Sequence, residues 1–278
     1  MIAVADKPLA GCCLWLTRPA SQVEVLQTQL QQAGAEVFCL PLLLIEPVQL
    51  TGVNRQRLMD IDRYDLVFFV SSNAAALGLD AIFSYWPQYP VGLQNFAVGP
   101  GTAAVLQKHG LEVSYPVERM SSEAMLALPA LQDINGKKAL IVRGVGGREI
   151  LAEGLLARGA SVDYAELYER KPPQYPADYL LGQYQQKRPH MVVISSGESL
   201  DNLHSLFEPL GLWNALPLAV SSERLQEHAR KLGNFAQLLL AGASDAAILE
   251  GLLTHFTQHA SPVPSPVSSP ASSPAASV

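Results

Sequence analysis

The chain has 278 residues, with 19 Lys and Arg against 25 Asp and Glu, a net charge of −6, 49% apolar residues and only 16% charged ones. That length corresponds to about two domains of ~150 residues, and the apolar fraction excludes disorder for the bulk of the chain, because disorder needs low hydrophobicity with high net charge. Cys12, Cys13 and Cys39 are too few, odd in number and partly adjacent, which excludes a disulfide scaffold. No basic stripe is present to neutralise phosphates, which excludes a dedicated nucleic-acid binder. The first ten residues hold no basic segment ahead of an apolar run, and no uncharged apolar run nears the ~20 residues that span a bilayer. With free cysteines, this predicts a cytoplasmic protein without membrane contact.

In chain order, the strand candidates are Cys12–Thr17, Val37–Ile45, Leu66–Val70, Asn95–Val98, Glu112–Tyr115, Lys138–Val142, Ser161–Tyr168, Met191–Ile194, Leu216–Val220 and Ala236–Leu240. Helical segments alternate with most of them, which is the pattern of a parallel α/β architecture. Gln22–Gln32 is one: Val23, Leu26 and Leu30 fall on one face, and Gly34 follows as a stop signal. The end of the chain, 257–278, is expected to be a disordered tail, since from Ala260 onward it holds only Ser, Pro, Ala and Val.

The two halves resemble one another at an offset of about 125 residues, far beyond a solenoid period. LWLTRPASQVEVLQTQLQQAGAEV from Leu14 matches ALIVRGVGGREILAEGLLARGASV from Ala139, and LVFFVSSNAAALGL from Leu66 matches MVVISSGESLDNL from Met191. FAVGPGTAAVLQKHGLEV from Phe96 matches PLAVSSERLQEHARKLG from Pro217, and SSEAML from Ser121 matches ASDAAIL from Ala243. Two similar α/β domains are expected, each a parallel sheet with helices on both faces.

In such sheets ligands bind beyond the carboxyl ends of the strands. Here those ends run into small, hydroxylated turns: Thr17-Arg18-Pro19, Ser71-Ser72-Asn73, Gly99-Pro100-Gly101-Thr102, Arg143-Gly144-Val145-Gly146-Gly147-Arg148, Ser195-Ser196-Gly197 and Ser221-Ser222. Each turn taken alone reads as a helix N-cap. Taken together they read as a set of helix N-termini that attract a polyanion without many basic residues.

Several catalytic patterns are missing. Gly144-Val145-Gly146-Gly147 is not a dinucleotide fingerprint, because Glu149 stands at the last glycine position. There is no phosphate-loop lysine, no nucleophile elbow and no metal spacing. His109 and His228 fall late in helices, where a cation suits the dipole. Any chemistry is then carried largely by the substrate's own reactivity, with the protein positioning it. A cofactor-free enzyme, a non-catalytic binder of a small anionic ligand and a nucleotide-dependent oxidoreductase remain the classes to separate.

The ordered set TRP, VSSNAA, AVGPGTA, YP followed by SSE, RGVGGREIL with LLARGASV, ELYER and ISSG resembles the uroporphyrinogen-III synthase family over about residues 11–256. The resemblance implies two flavodoxin-like domains, 11–36 plus 172–256 and 49–161, interleaved along the chain and joined by extended β-ladder linkers at 37–48 and 162–171. It implies a monomeric, cofactor-independent, metal-free enzyme, whose partners are its substrate and, in transient contact, the preceding enzyme of the pathway. That substrate is hydroxymethylbilane, a linear tetrapyrrole with acetate and propionate arms. It is closed to uroporphyrinogen III with inversion of the last ring and loss of water, through an azafulvene and a spiro intermediate.

The resemblance places Tyr168 at the family's cleft tyrosine. It reads either as a proton donor to the departing hydroxyl or as an aromatic that only packs, and Tyr164 lies nearby. Thr102 matches a cleft threonine or serves as an N-cap or first helical residue. Ser221-Ser222-Glu223 departs from the family's turn, and Glu223 there would repel a carboxylate. The substrate-binding candidates are Arg18, Ser71, Ser72, Asn73, Gly101, Thr102, Ser122, Arg143, Gly146, Gly147, Arg148, Ser195, Ser196, Gly197, Ser221 and Ser222.

Overall fold

A computed structural model describes residues 7–258 except 20–21 and 118–119. The elements run β1 (Cys13–Leu16), α1 (Glu24–Gln32), β2 (Glu36–Cys39), β3 (Leu44–Pro47), α2 (Gly52–Met59), β4 (Leu66–Phe69), α3 (Ser72–Phe83), β5 (Gln94–Ala97), α4 (Pro100–Gln107) and β6 (Val113–Ser114). They continue with α5 (Ser122–Leu126), β7 (Lys138–Gly144), α6 (Ile150–Leu156), β8 (Ser161–Lys171), α7 (Ala177–Gln186), β9 (Met191–Ile194), α8 (Gly197–Phe207), β10 (Leu218–Val220), α9 (Glu223–Lys231), β11 (Gln237–Leu239) and α10 (Asp245–Gln258). The chain divides into two compact units, one built from its two ends, up to Pro41 and from Tyr175, and one running from Leu42 to Gln174.

In the first unit the strands lie in the order β2-β1-β9-β10-β11, all parallel. Numbered along that unit, the order is 2-1-3-4-5, the flavodoxin-like arrangement. The second unit's sheet runs β3-β8-β7-β4-β5-β6, with β3 antiparallel to β8 and the other neighbours parallel. If β7 is counted first and β8 second, its five parallel strands repeat the order 2-1-3-4-5. The two units are therefore the same sheet entered at different strands. The sequence repeat agrees, since it matches β1 with β7, β9 with β4 and β10 with β5, which hold equivalent places. Even the turns correspond: Gly34 after α1 and Gly159 after α6 both take positive φ, 101° and 81°, a conformation that favours glycine.

Both sheets are covered on two faces, so their strands are apolar throughout rather than alternating. In β4, Val67 and Phe69 turn toward Leu58, Leu79 and Ile82 of α2 and α3, while Leu66 and Phe68 turn toward Met125, Leu151 and Leu155 of α5 and α6. Phe68 stacks on Phe96 at a centroid distance of 4.8 Å. In the first unit, Leu14 and Leu16 face Leu26, Leu30, Ile248 and Leu252 of α1 and α10. Trp15 points the other way, 5.9 Å from Phe207 of α8.

Two expectations are corrected. The single strand Val37–Ile45 is two strands: β2 closes the first sheet and β3 opens the second. Pro41 lies in the gap and has no N–H to continue a ladder. The stretches expected as extended β-ladder linkers, 37–48 and 162–171, hold most of β2, all of β3 and nearly all of β8, which runs parallel beside β7 from Ser161 to Tyr168. Residues 257 and 258 belong to α10 rather than to the tail; the rest of the expected tail lies outside the described residues. Phe68→Ala should cost about 3–5 kcal/mol of stability in urea unfolding; a loss below ~1 kcal/mol would contradict the stacked core described for the second unit.

Candidate active site

Three of the six hydroxylated turns cap a helix through a serine, and Ser121 does the same for α5, whereas the turns after β1 and β7 leave the N-caps of α1 and α6, Val23 and Glu149, without a side-chain bond. Ser71, Ser121, Ser196 and Ser222 each accept a backbone N–H through Oγ, from Ala74 at 3.0 Å, Ala124 at 3.2 Å, Ser199 at 3.1 Å and Leu225 at 3.3 Å. Thr102 does not cap. Gly99 is the N-cap of α4 and Pro100 its first residue, so Thr102 is a buried third residue. The reading of Thr102 as N-cap or first residue is thereby corrected: Pro100 suits the first helical position because it lacks an N–H and presets φ.

In the second unit, the carboxyl ends of β4, β5 and β7 and the last part of β8 enclose a pocket of about 190 Å³. Its floor is apolar, from Val70, Val98, Met125, Ile141 and Leu151, and its polar groups include Ser71, Ser122, Arg143, Arg148, Tyr168 and Arg170. Tyr168 reaches it through an irregularity in the ladder. Arg143 pairs with Glu166, but Gly144 pairs with Tyr168, so Leu167 is an extra residue on β8. Strict alternation from Ala165 would place Tyr168 on the face of Tyr164 and Glu166. The bulge turns it instead onto the face of Val142 and Ala165, where it is 4% exposed. Its ring fills the space of the missing side chain at Gly144, where a Cβ would lie 2.6 Å from Tyr168 Cε2.

The Tyr168 hydroxyl lies 2.9 Å from Ser71 Oγ. Ser71 Oγ also accepts the Ala74 N–H; its hydroxyl hydrogen is free to turn toward the phenol oxygen, and the reverse direction fits the same contact. With Ser71 as the donor, the phenol keeps its proton for a ligand.

Beside it lies an ionic group. Arg143 Nε donates to Glu166 Oε1 at 3.2 Å and Nη1 to Glu149 Oε1 at 2.9 Å, and the guanidinium sits 3.6 Å over the Tyr164 ring. Tyr164 donates to Glu149 Oε2, and Gly146 N–H donates to Glu166 Oε1 at 3.2 Å. Burial and the Glu149 carboxylate push the Tyr164 phenol up to about 12. The hydrogen bonds from Tyr164 and Arg143 hold the Glu149 carboxyl below the usual range.

Of the expected site residues, Ser71, Ser122, Arg143, Gly146, Gly147, Arg148 and Tyr168 line this one pocket. Ser72 opens α3 with Asn73 next to it, and Gly101 lies beside Ser72, whose Oγ would be 3.7 Å from a Cβ there; these three and Thr102 stay outside the pocket lining. In the first unit, Arg18, Ser195, Ser196, Gly197, Ser221 and Ser222 collect at the carboxyl ends of β1, β9 and β10. There Arg18 is engaged internally, by Asp245 at 2.6 Å and the Ala243 carbonyl, with Ser195 Oγ at 3.4 Å from its Nε. Glu223 is exposed at the start of α9.

Arg170, Glu149 and Glu166 were not anticipated. Arg170 is legible as the residue two positions past Tyr168 on a strand, hence on its face; the two glutamates carry no local signal. Among the described residues, no group of three or more His, Cys, Asp or Glu is placed to hold a metal ion, and no helix is long and apolar enough to cross a membrane.

Strand order and pocket position define a doubly wound α/β protein whose pocket opens where such folds receive small ligands. A family model described as "Uroporphyrinogen-III synthase HemD" matches residues 24–243. The chain belongs to the uroporphyrinogen-III synthase family. It is 35% identical over 241 residues to the uroporphyrinogen-III synthase of Salmonella typhimurium, covering 85% of this chain and 98% of that one. It is also 35% identical over 244 residues to the Escherichia coli synthase, with the same coverage. Solved synthases share the fold: that of Thermus thermophilus, in a mutant form, at TM-score 0.57 and 15% identity, covering 89% of this chain and 99% of that one, and that of Helicobacter pylori at TM-score 0.55 and 15% identity, covering 88% and 99%.

Gly144→Ala should cost about 1–3 kcal/mol alone and close to nothing in a Tyr168→Ala background, in a double-mutant cycle read by urea unfolding. Additive losses would contradict the packing of the ring against Gly144.

Proposed function

We propose that the chain closes hydroxymethylbilane to uroporphyrinogen III, inverting the last ring and releasing water, in tetrapyrrole biosynthesis. The observation that carries this is the match to named synthases along 85% of the chain and 98% of theirs. The same reading makes it a cytoplasmic, cofactor-independent enzyme.

The pocket chemistry suits such a substrate. At about 190 Å³ it is smaller than the ~300–1,000 Å³ of a site for a whole drug-sized molecule, so it takes one carboxylated ring of the tetrapyrrole. Arg148 and Arg170 supply charge for the arms. Tyr168, steadied by Ser71, gives its proton to the departing hydroxyl. The electron-rich pyrroles supply the nucleophile themselves. The protein's task is to hold the chain so that the inverted closure outruns the direct one, and a difference of about 2.7 kcal/mol between the two barriers gives ~100-fold selectivity.

Incubation of the purified protein with enzymatically generated hydroxymethylbilane, followed by oxidation and separation of the porphyrins, should give the type III isomer; type I alone would refute the reading. Tyr168→Phe should lower kcat about 10- to 100-fold without abolishing turnover, because orientation persists. An unchanged kcat would remove the donor role. Arg148→Ala should mainly raise KM, since it deletes a contact made equally to the bound substrate and the transition state; a fall in kcat at constant KM would contradict that placement.

A further inference from the structure

The Arg143 guanidinium has two carboxylate partners in different situations. Glu166 stands on β8, takes Nε and Nη2 at 3.2 and 3.1 Å, and also receives the Gly146 N–H. Glu149 comes from the turn after β7, its side chain is 48% exposed, and two glycines of that turn, Gly146 and Gly147, take φ of 71° and 117°. Glu149 bridges two donors, Arg143 Nη1 through Oε1 and the Tyr164 hydroxyl through Oε2. It is the N-cap residue of α6 but makes no side-chain cap bond.

We propose that Arg143 and Tyr164 form a receiving site for one carboxylate arm of the ligand, and that Glu149 occupies it as a built-in stand-in which the arm displaces. The proposal rests on the reading of the ligand as a carboxylated pyrrole. Both donors line the pocket beside Tyr168, so an arm bound there belongs to the ring that meets the phenol. The swap exchanges one carboxylate for another in the same hydrogen-bond geometry. Arg143 keeps Glu166 throughout and is never left as an unpaired charge. Tyr164 is held as a neutral phenol, so it remains a donor to whichever carboxylate is present. Glu149 competes only through its tether, and a partly exposed pair of this kind shifts an equilibrium by a few-fold.

The consequence has an unusual sign: removing an acidic residue that touches the binding arginine improves binding. The test is calorimetric titration of the intact protein with a monopyrrole bearing one acetate and one propionate arm, which reads affinity without turnover. Glu149→Ala should bind this probe about 3- to 10-fold more tightly than the wild type, and adding Tyr164→Phe to Glu149→Ala should cancel most of that gain. If Glu149 instead serves to orient Arg143, Glu149→Ala binds more weakly. Weaker binding, equal binding, or no binding by either protein would overturn the proposal. Failure of the functional reading shows separately, as absence of the type III isomer from the wild-type enzyme while the titration still reports on the site.

Discussion

Gly144 carries no side chain, and Tyr168 stands in the space this leaves. That single accommodation organises the second unit's site. The extra residue Leu167 shifts the β7–β8 register by one, and the shift carries Tyr168 across the sheet to the α3 side, where Ser71 meets its hydroxyl. Ser71 is itself fixed by capping α3. The phenol is therefore held at three places: by the ladder, by the ring's seat on Gly144 and by the cap. A group positioned in this way suits catalysis by orientation, in which a small displacement of the donor is costly.

The charge of the site is mostly internal. Arg143 is bracketed by Glu149 and Glu166 and lies flat on Tyr164, and in the first unit Arg18 is tied to Asp245. This explains how a chain of net charge −6 can serve an acidic ligand. Arg18 and Arg143 are paired locally at strand ends, and the helix N-termini there add partial positive charge.

Much of the fold was legible. The offset repeat anticipated that β1 matches β7, β9 matches β4 and β10 matches β5, and the shared 2-1-3-4-5 order follows from those matches. Strand ends and capping serines were legible because both obey local rules. What was not legible depends on pairing across the sheet. Glu166-Leu167-Tyr168 reads as ordinary alternation, so nothing local marks a bulge, and Tyr168 could be singled out only by its resemblance to the family's tyrosine. An arginine at a strand end looks the same whether it faces a ligand or an internal carboxylate, so Arg18 and Arg143 read alike until Asp245, Glu149 and Glu166 were placed. Thr102 misled for a different reason: Gly99 and Pro100 take the cap and first position ahead of it.

The central claim is that a carboxylated ring of the tetrapyrrole sits in the second unit's pocket against Tyr168. A crystal structure of the protein with uroporphyrinogen III bound tests it most directly. The account predicts one ring within hydrogen-bonding reach of the Tyr168 hydroxyl, with an arm at Arg148 or Arg170. A product seated with no atom in that pocket would contradict it.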